Sequence, residues 1–176
     1  MKRTPLTVKD MVQCAICAAL LAISAWLSIP MPQVSFTMQS FAVFFALGLL
    51  GGRRGCIAIG IYLLMGGVGL PVFSGFRGGA AVLLGVTGGY IWGFLLAGLV
   101  YWVLEALFGH GFRVRLLSMA LGMALCYTCG TVWYLQLYGG NLWAVLATCV
   151  APYILPDGVK IGLAISLSGR LKQVIH

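Results

Sequence analysis

The sequence predicts an all-α integral membrane protein with six transmembrane helices. Of its 176 residues, 61% are hydrophobic and only 8% are charged, and its mean hydropathy is +1.04. A chain with so little polar surface cannot cover a water-soluble globule. Its 25 glycines suit helices packed backbone to backbone, whereas a membrane β-barrel would alternate apolar and polar residues. We therefore expect residues 1–176 to form a single transmembrane domain, a bundle packed through small residues.

Six apolar runs are candidate spans, since a membrane crossing needs about 20 mostly apolar residues and sometimes fewer. The first run resembles a signal peptide, but further spans follow it and no convincing cleavage site appears, so we take it as the first helix. A further apolar piece, 141–153, is either a short helix across the outer mouth or an extension of the sixth span. The six runs are 11–29, 38–52, 55–70, 88–108, 115–137 and 155–170.

Every second junction between these runs is basic, which predicts the topology. Because Lys and Arg are enriched in cytoplasmic loops, the basic junctions lie inside and both termini are cytoplasmic. The alternate junctions carry no Lys or Arg except Arg77. We expect a multi-pass protein of the cell membrane, in contact with membrane lipid. The basic positions are Lys2, Arg3, Lys9, Arg53, Arg54, Arg113, Arg115, Arg170 and Lys172.

Asp157 and Lys160 form a charged pair inside the last apolar run. At a spacing of i and i+3 on a helix they share a face and can pair. Pro156 is predicted to begin this helix, so that its dipole favours the carboxylate. About 20 Å of helix separates Asp157 from Arg170, which places the pair in the outer half of the membrane. Intramembrane charges mark ligand or ion sites, so an outward-facing pocket is predicted; the alternative is a capping acid with a lysine that snorkels outward.

Small residues recur at helical spacing in two places. Gly85, Gly89, Gly93 and Ala97 repeat every four residues and predict close packing of the fourth helix. The N–H groups at the start of that helix, around Gly89, are a candidate carboxylate site. Ala15 and Ala19 give the first helix a flat surface. Packing within the bundle and docking of a partner helix are both compatible with it.

Sequence motifs of enzymes and cofactor sites are missing. No nucleotide-binding glycine loop and no Ser/His/Asp set occurs, so we predict no enzyme and no cofactor. The two Cys-x-x-Cys pairs lie in apolar helices without a nearby histidine, which favours packing over a metal site. The basic residues form no continuous surface with aromatics, so no nucleic-acid partner is expected.

Several linked motifs cover nearly the whole chain: 36–43 (FTMQSFAV), 66–73 (GGVGLPVF), 85–90 (GVTGGY), 130–133 (GTVW) and 155–160 (LPDGVK). Together they resemble the BioY family of biotin transporters. Two positions depart from the family pattern: Val86 stands where Pro is usual, and Asp157-Gly158 where Gly-Asp is frequent. Neither removes the Asp and Lys pair.

The resemblance implies the substrate-binding S component of an energy-coupling factor (ECF) transporter, with six helices and an outward-facing biotin pocket. Its implied partners are a membrane scaffold (T) subunit and two cytoplasmic ATPase subunits. Ala15 and Ala19 match the family's Ala-x-x-x-Ala contact motif, which favours partner docking at that surface. The alternatives are an S component for another small vitamin or, with less support, a proton- or ion-coupled transporter through Asp157 and Lys160.

Biotin has a ureido ring with two N–H donors and one carbonyl, an apolar thioether ring and a carboxylate tail. Asp157 and Lys160 match the ureido ring. Alternatively, Lys160 meets the biotin carboxylate while Ser74 and Tyr90 hold the ureido group. Arg77 is either a clamp for the carboxylate or a solvated loop residue. The remaining candidate contacts are Phe36, Phe73, Tyr90 and Trp133 as walls and Gln39 and Ser74 as neutral hydrogen-bonding groups.

Overall fold

The structure is a computed structural model that describes residues 6–31 and 34–175. Over these ranges the chain is mostly helical, which confirms the predicted class. The described residues also contain an antiparallel ribbon of two short strands, β1 (Ser28–Ile29) and β2 (Phe36–Thr37), which the sequence analysis did not predict. The helices are α1 (Val8–Trp26), α2 (Gln39–Leu50), α3 (Gly52–Gly67), α4 (Ala80–Leu84), α5 (Gly88–Phe108), α6 (Phe112–Tyr138), α7 (Leu142–Cys149) and α8 (Ala151–Ile175).

Helix α1 begins at a capping box that also ties it to α3. The Thr7 hydroxyl accepts from the Asp10 N–H at 3.2 Å, and the Asp10 carboxylate accepts from the Thr7 N–H at 3.0 Å. These two bonds satisfy N–H groups that the first helical turn leaves unpaired. The same carboxylate forms an ion pair with Arg54 of α3. α1 therefore starts earlier than the predicted span 11–29, and it ends at Trp26.

The junction between α2 and α3 is a tight turn at Gly51, whose φ of +80° favours glycine. Gly52 lies against the backbone of Trp102, and its N–H donates to the Glu105 carboxylate of α5 at 2.6 Å. The predicted spans left Arg53 and Arg54 between two helices. The structure instead places both arginines in the first turn of α3, because Gly51 alone separates α2 from α3.

Helix α2 lies at the centre of the bundle. Nine of its twelve residues are buried, and apolar side chains surround it on all sides, as in a helix enclosed by other helices. It packs against α8, α3, α1 and α5. Its first turn carries Gln39 and Ser40, so these two polar side chains are drawn into the interior.

Helices α5 and α6 pack closely through the predicted small residues. Gly93 lies against Cys126, Gly122 lies against Ala97, and Gly89 lies against Trp133. A side chain at Gly89 or Gly93 would collide with the facing helix, and one at Gly122 would press tightly on Ala97. Gly85 is the exception to the predicted stripe, because it lies in the turn before α5 and approaches the carbonyl of Ala81.

The segment 141–153 divides between two helices, α7 and the start of α8, which meet at Val150 with a bend of 42°. α8 begins at Ala151, so the prediction that Pro156 begins this helix is wrong. The apolar residues before Pro156 continue the helix past it, although proline removes one internal hydrogen bond. Asp157 therefore lies in the second turn of α8, too far from the helix N-terminus for the dipole to stabilise its carboxylate as expected.

Three of the described helices, α1, α5 and α6, are long and apolar enough to cross a membrane. The bent pair α7 and α8 gives a fourth candidate if it forms one span. α2 is apolar but has 12 residues, about 18 Å of helix, and α3 has 16 residues and carries two arginines. The prediction of six spans goes beyond what length and composition of these helices establish.

We predict that Gly93→Ala lowers the melting temperature of the detergent-solubilised protein. The added Cβ would lie 2.9 Å from Cα and Sγ of Cys126, and backbone cannot move aside as a flexible side chain can. Overpacking of this kind costs about 1–3 kcal/mol. Gly60→Ala is the matched control, because no atom lies within 4 Å of its added Cβ. The control should be neutral or stabilise by about 0.4–1 kcal/mol; equal melting temperatures for both variants would contradict the packing assignment.

Candidate ligand-binding site

A cavity of about 730 Å³, part of it open to solvent, lies between the ribbon, the loop before α4, and helices α2, α5, α6 and α8. Its volume falls within the usual range for small-molecule sites. Its exposed wall is mostly apolar, with polar and charged groups on more than one side. The lining residues are Val34, Ser35, Thr37, Gln39, Ser40, Phe73, Ser74, Arg77, Val82, Thr87, Tyr90, Ile91, Phe94, Met123, Cys126, Tyr127, Cys149, Tyr153, Asp157 and Lys160.

Asp157 and Lys160 form an ion pair in the wall of this cavity, with Lys160 Nζ 2.8 Å from Asp157 Oδ1. Both residues are buried, with relative exposures of 6% and 5%. The pair follows from their i and i+3 positions on α8, as the sequence analysis predicted. The buried side chains thus face the cavity, and the alternative of a lysine that snorkels outward does not describe this geometry.

Two hydroxyl groups from other helices hold the Asp157 carboxylate. Ser40 of α2 donates to Oδ1 at 2.8 Å, and Tyr127 of α6 donates to Oδ2 at 2.6 Å. With Lys160, the carboxylate accepts three hydrogen bonds out of about four that its oxygens can take. One acceptor position, on Oδ2, is therefore left for another donor.

Lys160 uses all three of its N–H donors within the protein. Nζ donates to Asp157, to the Thr37 carbonyl at 2.7 Å and to the Ser40 hydroxyl at 3.2 Å. It also lies 3.9 Å from the centre of the Phe36 ring, a cation–π contact. Protein groups alone therefore satisfy both charges, and a ligand that approaches Lys160 must replace one of these partners.

The ribbon segment 34–37 is fastened to α8 at one side of the cavity. The Tyr153 hydroxyl donates to the Val34 carbonyl, and the rings of Phe36 and Tyr153 stack with centroids 6.1 Å apart. Thr37 adds its carbonyl bond from Lys160. The position of this segment thus depends directly on the charged pair.

The loop before α4 borders another side of the cavity and carries Ser74 and Arg77. The Phe73 N–H donates to the Arg77 carbonyl at 2.9 Å, and the Arg77 Nε donates back to the Ser74 carbonyl at 3.1 Å. α1 supports this loop from outside, since Trp26 Nε1 donates to the Pro71 carbonyl at 2.9 Å. Arg77 is exposed in the lining, and one of its five N–H donors is used by the Ser74 carbonyl.

Tyr90 carries unused hydrogen-bonding capacity in the lining. Its ring rests on Gly130, where a side chain would collide with it. The Tyr90 hydroxyl is buried close to the Thr131 hydroxyl and the Cys149 thiol, but neither the Tyr90 nor the Thr131 hydroxyl makes a hydrogen bond of regular geometry. A buried hydroxyl without a partner is costly. Tyr90 is therefore the lining residue best prepared to bond a polar group placed in the cavity.

Of the ten predicted ligand contacts, seven lie in the lining and three do not. Phe36 lies behind the lining, against Lys160. Gly89 is covered by Trp133, whose indole Nε1 donates to the Gly85 carbonyl at 3.1 Å. The start of α5 is also closed by its own turn, because the Gly88 N–H donates to the Gly85 carbonyl. The seven in the lining are Gln39, Phe73, Ser74, Arg77, Tyr90, Asp157 and Lys160.

Gln39 and Phe73 of these seven have structural partners. Gln39 Nε2 donates to the Tyr62 hydroxyl, and its Oε1 accepts from the Thr37 hydroxyl at 3.1 Å. The Phe73 ring lies edge-on to Tyr62, with centroids 5.5 Å apart, and packs on Gly66. Both residues shape the wall of the cavity.

Ser40, Tyr127 and Tyr153 were missed in the sequence analysis. Ser40 lies inside the quoted motif 36–43, directly after Gln39, and Tyr127 lies inside one Cys-x-x-Cys pair. Polar residues inside apolar spans were the available signal. Their pairing with Asp157 depends on how α2 and α6 rotate about their axes, which local spacing does not determine.

Ala15 and Ala19 lie on the outer face of α1. Both are exposed, whereas Cys14, Cys17 and Ala18 of the same helix are buried against the bundle. The alanine surface is therefore not used for packing within the described residues. It is accessible to a helix of another protein or to lipid.

Comparison with known proteins shows which family this chain resembles in sequence. The sequence matches the BioY family over residues 1–176. The "Biotin transporter BioY" of Thermotoga maritima is 36% identical over 94% of this chain and 97% of its own length. The "Probable biotin transporter BioY" of Pyrococcus horikoshii is 37% identical, over 93% and 96%.

A crystal structure titled "S-component for biotin from an ECF-type ABC transporter" superposes with a TM-score of 0.85 at 29% identity, covering 94% of this chain and 92% of that one. The family and these relatives carry the names of transporters and not of enzymes, as predicted. With apolar helices long enough to cross a membrane, the chain is a multi-pass membrane protein. The full-length family match, joined to this likeness in sequence and structure, means that the chain belongs to the BioY family.

Proposed function

We propose that this chain binds biotin in the cavity beside Asp157 and Lys160, as the substrate-binding S component of an ECF-type transporter. The observation that carries the proposal is a buried ion pair in the wall of a cavity, in a chain whose relatives are named biotin transporters. Its chemistry suits a ureido ring, because Asp157 offers an acceptor and Tyr90 offers an unpaired hydroxyl.

The hydrogen-bonding positions that the protein leaves unfilled favour one orientation of the biotin ureido ring. A ureido N–H can reach the remaining acceptor position on Asp157 without breaking any bond. The ureido carbonyl can accept from Tyr90, or from Lys160 if Lys160 releases Ser40, its longest bond at 3.2 Å. Arg77, exposed in the lining, would then meet the biotin carboxylate. The reverse arrangement places the carboxylate at Lys160 and the ureido group at Ser74 and Tyr90.

The proposed topology has six spans, both termini in the cytoplasm and the cavity open to the outside. The alternation of basic junctions supports it. α2 and α3 are short for independent spans, but other helices enclose α2, so lipid need not match its length. A scaffold (T) subunit would dock on Ala15 and Ala19, and two ATPase subunits would supply energy, since this sequence has no nucleotide-binding loop.

We predict that Asp157→Asn and Lys160→Met each lower biotin affinity by about a hundredfold or more. Each substitution removes a charged group that would bond the ligand in a buried site, which costs about 2–5 kcal/mol of binding free energy. Binding is measured by calorimetry on the solubilised protein, with biotin, its carboxamide and a panel of other water-soluble vitamins. Asp10→Asn is the matched control, because Asp10 pairs with Arg54 away from the cavity. This variant should bind biotin as the wild type does.

Comparison of biotin with its carboxamide distinguishes the two orientations of biotin in the cavity. If Lys160 meets the ureido group, Lys160→Met weakens biotin and its carboxamide alike; if it meets the carboxylate, the carboxamide is spared. Undiminished binding in both variants would remove the site assignment. Binding of a different vitamin by the wild type, with none of biotin, would assign the same cavity to another substrate.

Tyr127→Phe is expected to lower both the melting temperature and the affinity for biotin, the latter by about tenfold. A hydrogen bond to a charged group contributes about 1.5–3 kcal/mol, and its loss frees the Asp157 carboxylate to rotate. Tyr138→Phe on the same helix is the control, because Tyr138 is exposed and lies outside the lining. Unchanged melting and binding in Tyr127→Phe would show that Tyr127 does not position the carboxylate.

Ala15→Leu and Ala19→Leu are expected to reduce co-purification with a scaffold and ATPase module, and to reduce biotin uptake, while biotin binding is retained. Both residues are exposed on α1 and away from the cavity lining, so a larger side chain there obstructs only an approaching partner. Ala144→Leu on α7, another exposed alanine, serves as the control. Normal co-purification of both α1 variants would exclude this docking surface.

A further inference from the structure

A second, basic cleft lies between the start of α6 and the end of α8, about 20 Å along α8 from the charged pair. It encloses about 760 Å³, part of it open to solvent. Arg115, Arg170 and Lys172 contribute three positive charges to its lining, and no acidic residue lines it. Like charges gathered in one cleft repel each other unless an anion lies among them.

No carboxylate of the described residues makes a direct contact with the three cations. Among the residues that the structure describes, none of their side chains forms a hydrogen bond or an ion pair, and Arg115 Nε is buried without a partner. Lys172 also experiences the charges of Glu105, Arg115 and Arg54. Glu105, whose oxygens bind the Gly52 N–H and His110 Nδ1, lies outside the lining and supplies one negative charge against three positive ones. The cleft therefore carries an excess of positive charge.

The position of the cleft identifies the missing anion. α6 is long enough to cross the membrane, so its first residues lie at the depth of the lipid headgroups. Phe112, the first residue of α6, lines the cleft with a 60% exposed ring, and Ile165 adds an apolar wall. A site with cations beside an apolar wall at this depth suits a headgroup that continues into acyl chains, whereas a free phosphate would use only the cations.

We propose that this cleft binds an anionic phospholipid. Arg115, Arg170 and Lys172 would hold the phosphate, which accepts charge-assisted hydrogen bonds from both residue types. Phe112 and Ile165 would contact the start of the acyl chains. Basic pockets between transmembrane helices are known to bind anionic lipid headgroups. This proposal rests on the membrane location of the chain and is independent of the ligand in the other cavity.

Gly169 allows a steric test of the cleft. It lines the cleft, and an added Cβ there would meet no atom within 4 Å. Gly169→Leu therefore places a side chain in the space needed by the headgroup, and its Cβ meets no protein atom. Gly162→Leu is the matched control. Gly162 lies two turns away on the same helix and outside the cleft lining, and an added Cβ there also meets no atom within 4 Å.

Arg115→Gln and Arg113→Gln form the matched pair for charge. They make the same change two residues apart on α6, but Arg113 is exposed and outside the lining. A Lys or Arg near an anionic lipid contributes about 1 kcal/mol, so Arg115→Gln should weaken lipid binding by about fivefold. Arg113→Gln should bind as the wild type does.

The experiment is native mass spectrometry of the full-length protein titrated with phosphatidylglycerol, with phosphatidylcholine and inorganic phosphate in parallel. The expected result is preferential binding of phosphatidylglycerol, reduced in Gly169→Leu and Arg115→Gln and preserved in both controls. Unchanged binding in these two variants, equal binding of phosphatidylcholine, or displacement of the lipid by equimolar phosphate would overturn the proposal. Gel filtration and the circular dichroism spectrum verify that each variant is folded.

Discussion

The structure depends on keeping one ion pair, Asp157 and Lys160, away from water. Removing each charge from water costs several kcal/mol, and their attraction offsets this only when the remaining donors and acceptors are also bonded. Three separate elements supply those bonds: Ser40 from α2, Tyr127 from α6 and the Thr37 carbonyl from the ribbon. The central position of α2 and the inward turn of the ribbon are therefore requirements of the charged pair as much as of apolar packing.

The same bonds determine what the cavity can recognise. The carboxylate is held rigidly and keeps one acceptor position, while the ammonium keeps no free donor and must exchange a partner. A guest with one N–H donor close to a carbonyl suits this arrangement, since the carbonyl can also reach the unpaired hydroxyl of Tyr90. An amphipathic guest without an N–H donor would leave the carboxylate no better satisfied than before. Selectivity of the proposed site would thus arise from hydrogen-bonding positions that the protein leaves unfilled.

The sequence predicted the features that local spacing controls. The i and i+3 placement of Asp157 and Lys160, the start of α5 at Gly88 and the close packing at Gly93 were all available from the sequence, although the partner helix of Gly93 was not. Pro156 was misassigned because proline suits a first helical turn, and the pattern could not show that the apolar residues before it continue the helix. Trp133 was predicted as a cavity wall, but its indole packs on Gly89 instead. Which face of a uniformly apolar helix turns inward is decided by tertiary packing.

The three acidic residues also explain the charge of the whole chain. Asp10 links α1 to α3, Glu105 links α5 to the start of α3, and Asp157 links α8 to α2 and α6. Each carboxylate is therefore committed to tertiary structure, while eleven Lys and Arg leave a net charge of +8. Three carboxylates cannot balance eleven cations, so most of the balancing charge comes from outside the protein. An anionic membrane surface is one source of it, and the electrostatics that orient such a chain would also favour lipid phosphate at the proposed cleft.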